Sequence, residues 1–178
     1  GFRAGLFNIG AEGQLFMGGL AAVSLGLALA SMPWYVLVPL MLIASMLAGA
    51  AWAFIPAILK ARIGVHEVIA TMMFTYIGRY LVSWLVNGPM KEPGGIPQTY
   101  QLGTNAQLPR IASLFSDGAK EAVPFLNLGR AHMGIVVALL AAVVIWLILK
   151  YTTLGYENRA VGYNRWASET AGVSVQWT

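Results

Sequence analysis

Glu67, Thr71, Thr75, Arg79, Ser83 and Asn87 recur every four residues through an otherwise apolar stretch. Four residues turn a helix by about 400°, so the row drifts about 40° per step and winds round roughly half the helix. An ionised group at mid-bilayer costs about 3 kcal/mol on insertion scales, so such groups face protein or water rather than lipid. One reading makes the row part of a route for solute, lined or braced by Thr71 and Thr75. The other is structural. Glu67 then sits in a first turn where the helix dipole favours an anion, Arg79 snorkels outward, and the hydroxyls bond carbonyls four residues back.

Most other chemistries are excluded. The chain has no cysteine, which removes thiolate metal sites, thiol nucleophiles and disulfides. His66 and His132 lie far apart and no carboxylate stands at ligand spacing, so no metal site is expected. No glycine-rich stretch ends in Gly-Lys-Ser/Thr, so the chain has no phosphate-binding loop of its own. A formal charge of +4 is too weak and scattered for nucleic acid. An intramembrane enzyme using Glu12, His66 and Glu67 lacks any supporting His-Glu-x-x-His, Gly-x-Ser-x-Gly or paired-Asp motif. An ion-coupled carrier with Glu67 and Arg79 as its intramembrane charge pair is the remaining alternative to a pathway fuelled from outside the chain.

The elements that carry these residues follow from hydropathy. Of 178 residues 58% are hydrophobic and 10% charged, against about 25% charged in a soluble domain. From Gly13 to Leu59 there is no Asp, Glu, Lys, Arg or His. A bilayer core about 30 Å thick needs about 20 residues per helix, so this run holds two spans. Ser31-Met32-Pro33-Trp34 divides them, because proline disfavours helix at the residue before it. The expected spans are 12–31, 34–59, 66–87 and 132–149, with Lys60 to Gly64 as a short basic turn. Residues 88–131 form a long polar loop with Pro89, Pro93, Pro97, Pro109 and Pro124, and a short interfacial helix is expected near Pro109 to Phe115. Lys60 and Arg62, with Lys150, Arg159 and Arg165, place the Lys60 turn and the 152–178 tail in the cytoplasm and the long loop outside. The absence of an initial methionine and the abrupt stop at Thr178 read as a piece of something longer.

Helices in lipid need small residues for close approach. Gly18, Ala22, Gly26 and Ala30 supply one such row, and Ser45, Gly49, Ala53 and Ala57 another. The opening Gly5 to Gln14 sets three glycines and the polar Asn8, Glu12 and Gln14 against the first span. It reads either as a broken-helix solute site, since irregular backbone at membrane depth must line a cavity or be buried, or as an interfacial lead-in loop. In the tail, Tyr156 to Val161 makes a short helix closed by Gly162. Asn164 caps a second, Arg165 to Ala171, closed by Gly172. The pair forms a knob whose exposed face mixes Glu157, Arg159, Arg165, Trp166 and Glu169, and Trp and Arg are typical interface anchors.

The segment Gly5 to Gln14 (GLFNIGAEGQ) resembles the signature of membrane-spanning permease subunits of bacterial ABC importers, in the ribose, simple-sugar and branched-chain amino acid superfamily. GVHEVIATMMFTYI (Gly64 to Ile77) is similar to the third motif of the nucleoside and simple-sugar branch, with His66 where Asn is common. Val86 to Lys91 and Pro97 to Thr99 also fit. Thr152 to Val173 resembles the cytoplasmic coupling loop, departing at Arg165 and Ala167-Ser168, where many members have Pro and Ala-Ala. The resemblance runs through essentially the whole chain and implies an all-α polytopic bundle of the type II importer kind, truncated, in the bacterial inner membrane. It implies a second permease subunit (identical or not), a cytoplasmic ATPase that binds the ATP, and an extracytoplasmic solute-binding protein. This chain would hold no cofactor and hydrolyse nothing. Gly155, Glu157, Arg159, Gly162, Asn164, Trp166 and Gly172 then fall on ATPase coupling. Asn8, Glu12, Gln14, Thr71 and Thr75 fall on the solute pathway, and the solute would be a nucleoside or simple sugar.

Overall fold

The structure is a computed structural model that describes residues 8–109 and 132–174. Among these it is all-helical, with only an isolated antiparallel bridge between Lys91 and Thr99. The residues divide into two units, one running to Gln107 and the other from Leu108.

The first unit holds three long helices. Helix α1 (Ala11–Ala28) ends three residues before the expected limit, at a turn closed by the Met32 N–H donating to the Leu29 carbonyl at 3.0 Å. Helix α2 (Trp34–Ile58) starts directly after Pro33, which holds extended backbone with ψ 148°. Pro56 within α2 has no N–H to offer the Trp52 carbonyl. Four residues on, the helix does not stop as expected at a basic turn. It widens into a π-helical turn, Leu59–Ile63, so Lys60 and Arg62 are helical, and Gly64 makes the reversal with φ 75°. Helix α3 (Glu67–Asn87) follows with His66 at the cap position.

Glycine governs how α1 meets its neighbours. A Cβ on Gly13 would lie 2.9 Å from the Thr75 Cα, and one on Gly18 would lie 2.7 Å from the Ser45 Oγ. On α2, a Cβ on Gly49 would lie 3.3 Å from the Gln14 carbonyl oxygen. Backbones approach this closely only where side chains are missing, and van der Waals contact is what such an approach gains in an apolar solvent. Gly18, Gly26, Ser45 and Gly49 from the two expected small-residue rows are at these contacts, whereas Ala30 and Ala57 are exposed. Leu37, Val38 and Met41 of α2 are buried, Met41 against Gly26, and Ala70 is buried at the start of α3 beside Thr71. Trp52 clamps α2 to α3: its Nε1–H donates to the Phe74 carbonyl at 3.2 Å, and the two rings meet edge to face. Beyond α3, Glu92 and Gln98 bond through main chain and side chain, a 3₁₀ turn spans Thr104–Ala106, and Leu102 reaches back onto Gly26. The interfacial helix expected from Pro109 onward lies outside the described residues apart from Pro109 itself, which is not helical.

The second unit contains α4 (Gly134–Tyr151), α5 (Thr153–Tyr163) and α6 (Arg165–Thr170). Among the described residues, α1, α2 with its π-helical turn, α3 and α4 are each long and apolar enough to cross a membrane. The mean hydropathy of α4 is 2.5 and none of it is buried.

Gly13→Ala should therefore force α1 from α3 and destabilise the protein by about 1–3 kcal/mol. Gly19→Ala, with nothing within 4 Å, should be neutral or stabilising. Thermal unfolding of the detergent-purified full-length protein checks the pair: Gly13→Ala should lower the midpoint and Gly19→Ala should not.

Candidate functional site

Two places gather the polar residues singled out in the sequence. The first is the seam between α1 and α3. The Asn8 Oδ1 accepts the Gly10 N–H at 2.8 Å and bends the chain into α1. Gly10 is buried, and a Cβ on it would lie 3.0 Å from the Thr71 Cβ. Thr71 is 8% exposed, and its hydroxyl donates to the Glu67 carbonyl at 2.8 Å. The Thr75 hydroxyl donates to the Thr71 carbonyl at 3.0 Å. Both hydroxyls are thus satisfied within their own helix, and the Thr71 Cβ and the Thr75 backbone meet Gly10 and Gly13. Of the expected pathway residues the structure joins Asn8, Thr71 and Thr75 here. Gln14 lies half-buried toward α2, and Glu12 is exposed.

The charge pair required by an ion-coupled carrier does not form. The Glu67 Oε2 lies 2.6 Å from the Lys60 Nζ, which straps the beginning of the π-helical turn to the start of α3. Arg79 stands about 18 Å further along α3 at 1.5 Å per residue, beyond the reach of Glu67. Spacing alone explains this, because residues twelve apart on one helix are separated by about 18 Å and point about 120° apart. The Lys60 contact needed the hairpin, and its signal was a cation and an anion flanking a predicted turn.

Row drift sorts the remaining polar residues. Glu67, Thr71 and Thr75 turn toward α1 and the Lys60 strap, while Arg79, Ser83 and Asn87 are exposed on the adjoining arc. Asn87 donates to the Ser83 carbonyl at 2.7 Å. A shallow open cleft is lined by Tyr80, Ser83, Trp84, Asn87 and Gly88 at the end of α3. No cluster of three His, Asp or Glu side chains able to hold a metal ion occurs among the described residues.

The second place is the elbow where α4 passes into α5. Thr152 takes extended backbone, ψ 161°, and its hydroxyl oxygen accepts the Gly155 N–H. The first tail helix is therefore Thr153–Tyr163, longer than expected at both ends, because Thr152 rather than a later residue caps it and Gly162 does not break it. Gly155 is buried with its α-carbon against the backbone of Leu149, leaving no room for a Cβ. The half-buried Arg159 guanidinium donates to the Leu149 carbonyl. That carbonyl belongs to the last turn of α4, which has no intrahelical donor, and a cation is favourable at this negative end. Arg159 thus fastens the elbow, and Glu157 on the same helix is half-buried.

Asn164 both ends α5 and caps α6, accepting the Ala167 N–H at 3.1 Å. Helix α6 ends at Thr170, and Gly172 closes it with φ 84°. The Gly172 N–H bonds the Glu169 carbonyl and the Val173 N–H bonds the Ser168 carbonyl, both at 3.0 Å, the paired arrangement of a left-handed helix stop. Ser168 is buried and anchored to the Asn164 carbonyl at 2.8 Å. The most exposed large side chains of the pair are Trp166, 78% exposed, and Tyr163, 90% exposed; Leu154 and Tyr156 are also exposed. Sequence reasoning missed Tyr163 as an exposed aromatic, because it assigned the residue to a turn rather than to the end of α5.

Comparison with known proteins places this geometry. A family model described as "Branched-chain amino acid transport system / permease component" matches residues 2–178. A guanosine ABC transporter permease protein of Bacillus subtilis is 43% identical over 175 residues, covering 98% of this chain and 47% of its own length. A glucose ABC transporter permease protein of Haloferax volcanii is 40% identical, covering 97% of this chain and 44% of itself. A nucleoside ABC transporter permease protein of Lactococcus lactis subsp. cremoris is 32% identical, covering 99% of this chain and 47% of itself. The chain spans about half the length of the curated relatives it matches. It has no significant match among solved structures.

Gly155→Ala should open the elbow, at a cost of about 1–3 kcal/mol for backbone overpacking. Limited trypsin digestion of the membrane-embedded protein should then cut faster after Lys150 and Arg159, while cutting after Lys91 stays unchanged.

Proposed function

The chain belongs to the branched-chain amino acid transport system permease component family, and on that footing we propose that it forms half of the membrane-spanning subunit of an ABC importer for a nucleoside or simple sugar. The names of its relatives, for guanosine, glucose and nucleoside, support that solute class. The observation that carries the reading is the elbow. A spanning helix, α4, ends in a capped helix pair fastened to it by Gly155 and Arg159 and presenting Tyr163 and Trp166 outward. An exposed Trp on a rigid, membrane-attached knob is suited to dock a partner and to pass on its motion.

In this reading the importer has a second permease subunit, a cytoplasmic ATPase pair and an extracytoplasmic solute-binding protein. The tail lies in the cytoplasm, where the ATPase receives it. ATP-driven closure of the ATPases displaces α5 and α6, the Arg159 fastening carries the displacement into α4, and the spans change tilt. Hydrolysis occurs in the partner, and this chain breaks no bond. Arg159 and Gly155 act by keeping the elbow stiff, Asn164 and Gly172 by setting the ends of α6, and Trp166 by contact. The α1–α3 seam, with Asn8, Thr71 and Thr75, braces the pathway wall, and Glu12 and Gln14 border it. Because the binding protein supplies affinity, the passage itself needs only weak polar contacts. The ion-coupled alternative loses its motivating pair, since Glu67 is engaged with Lys60.

Trp166→Ala in the full-length permease should weaken ATPase association by about 2 kcal/mol, roughly thirtyfold. Co-purification of the ATPase and uptake of radiolabelled guanosine and glucose in cells measure it. Undiminished association and uptake contradict the docking assignment.

A further inference from the structure

Arg79 raises a problem that its own helix does not solve. It stands on α3 about 18 Å from Glu67 and about 12 Å from Asn87, close to the middle of a spanning helix. It is exposed, and among the described residues it has no ion-pair or hydrogen-bond partner. At that depth a cation facing lipid is costly, so its surroundings in the membrane are protein or water.

The neighbours on its face decide between these. At 100° per residue, Met72, Tyr76, Arg79, Tyr80, Ser83 and Asn87 fall within an arc of about 100°. All six are exposed. Met73 and Ile77, also exposed, lie on the apolar flank beside that arc. Where α1 buries itself against α2 and α3, its face is built of glycines. This face of α3 has the apolar Ile69 and Met72 near its start, but from there on it carries two tyrosines, 54% and 71% exposed, with an arginine, a serine and an asparagine between and beyond them. Rings beside donors and acceptors suit a solute that is itself a ring edged with hydroxyls or amides. Tyr80, Ser83 and Asn87 of this arc also line the cleft at the end of the helix, with Trp84 from the apolar flank.

Resting on the importer reading above, we infer that the Tyr76–Arg79–Tyr80–Ser83–Asn87 face of α3 is the water-filled wall along which a ring-bearing polar solute passes. The Thr71 and Thr75 side adjoins this wall and packs against α1. Tyr76 and Tyr80 offer their rings to the solute ring, Ser83 and Asn87 bond its polar edge, and Arg79 keeps the middle of the path hydrated.

The test uses single cysteines in the full-length permease, assembled with its partners in membranes, with any cysteine outside these residues replaced. The probe is a charged, membrane-impermeant methanethiosulfonate reagent. Cysteine at Tyr76, Tyr80 or Ser83 should react at least about tenfold faster than cysteine at Met73 or Ile77, because a thiol in apolar surroundings stays protonated and shielded. Modification at Tyr80→Cys should also stop uptake of a purine nucleoside or an aldohexose, whichever the unmodified variant transports. Equal reactivity on both arcs, no reaction on either, or modification that leaves uptake intact overturns the inference. Those results leave ATPase docking through Trp166 standing, and loss of that docking leaves the reactivity pattern unchanged, so the two readings fail separately.

Discussion

The first three helices depend on missing side chains. Gly10, Gly13 and Gly18 bring α1 within backbone contact of Thr71, Thr75 and Ser45, and Gly49 lets α2 reach Gln14. Lipid tails are as apolar as leucine, so helices gain little by hiding apolar surface from them and associate where atoms fit most densely. Once α1 is seated, one side of α3 is committed to it. Thr71 and Thr75 can then remain polar in sequence and still be harmless, because each hydroxyl returns to its own backbone. The remaining polar groups of α3 are left to face elsewhere.

A different device shapes the second unit. There the problem is an abrupt change from a helix with mean hydropathy 2.5 to polar chain. The orphan carbonyls of α4 are met by Thr152 and Arg159, and Gly155 lets α5 turn away without a gap. Lys150 lies 4.7 Å from the Trp146 ring centre and 5.2 Å from that of Tyr151, a cation resting on aromatic faces at the end of the span. The elbow joins helix to knob by hydrogen bonds and contact rather than by a loose linker, which is what transmission of a mechanical displacement requires.

The positions of the long helices were legible in the sequence because hydropathy and proline placement act locally. Pro33 starts α2 and Asn164 caps α6 where the residue types demand it. What was illegible depended on partners. Nothing local to Glu67 says whether it meets Lys60 or Arg79; the Gly64 reversal decides it. The four-residue polar row looked like one surface, yet its drift of about 40° per step hands its first half to α1 and exposes its second. Arg159 read as a surface cation suited to a partner, and only the sharp elbow brings it to the Leu149 carbonyl. The basic residues after α2 are helical rather than in a turn because the chain stays helical through the π-helical turn Leu59–Ile63 and reverses only at Gly64.

The account stands on α4 crossing the membrane and delivering the α5–α6 knob to the cytoplasm. Cysteine labelling with an impermeant maleimide in intact and permeabilised cells tests this most directly, with Tyr163→Cys reporting the knob and Gln101→Cys the loop beyond α3. The account predicts that Gln101→Cys labels in intact cells and that Tyr163→Cys labels only after permeabilisation. Labelling of Tyr163→Cys from outside intact cells would contradict it.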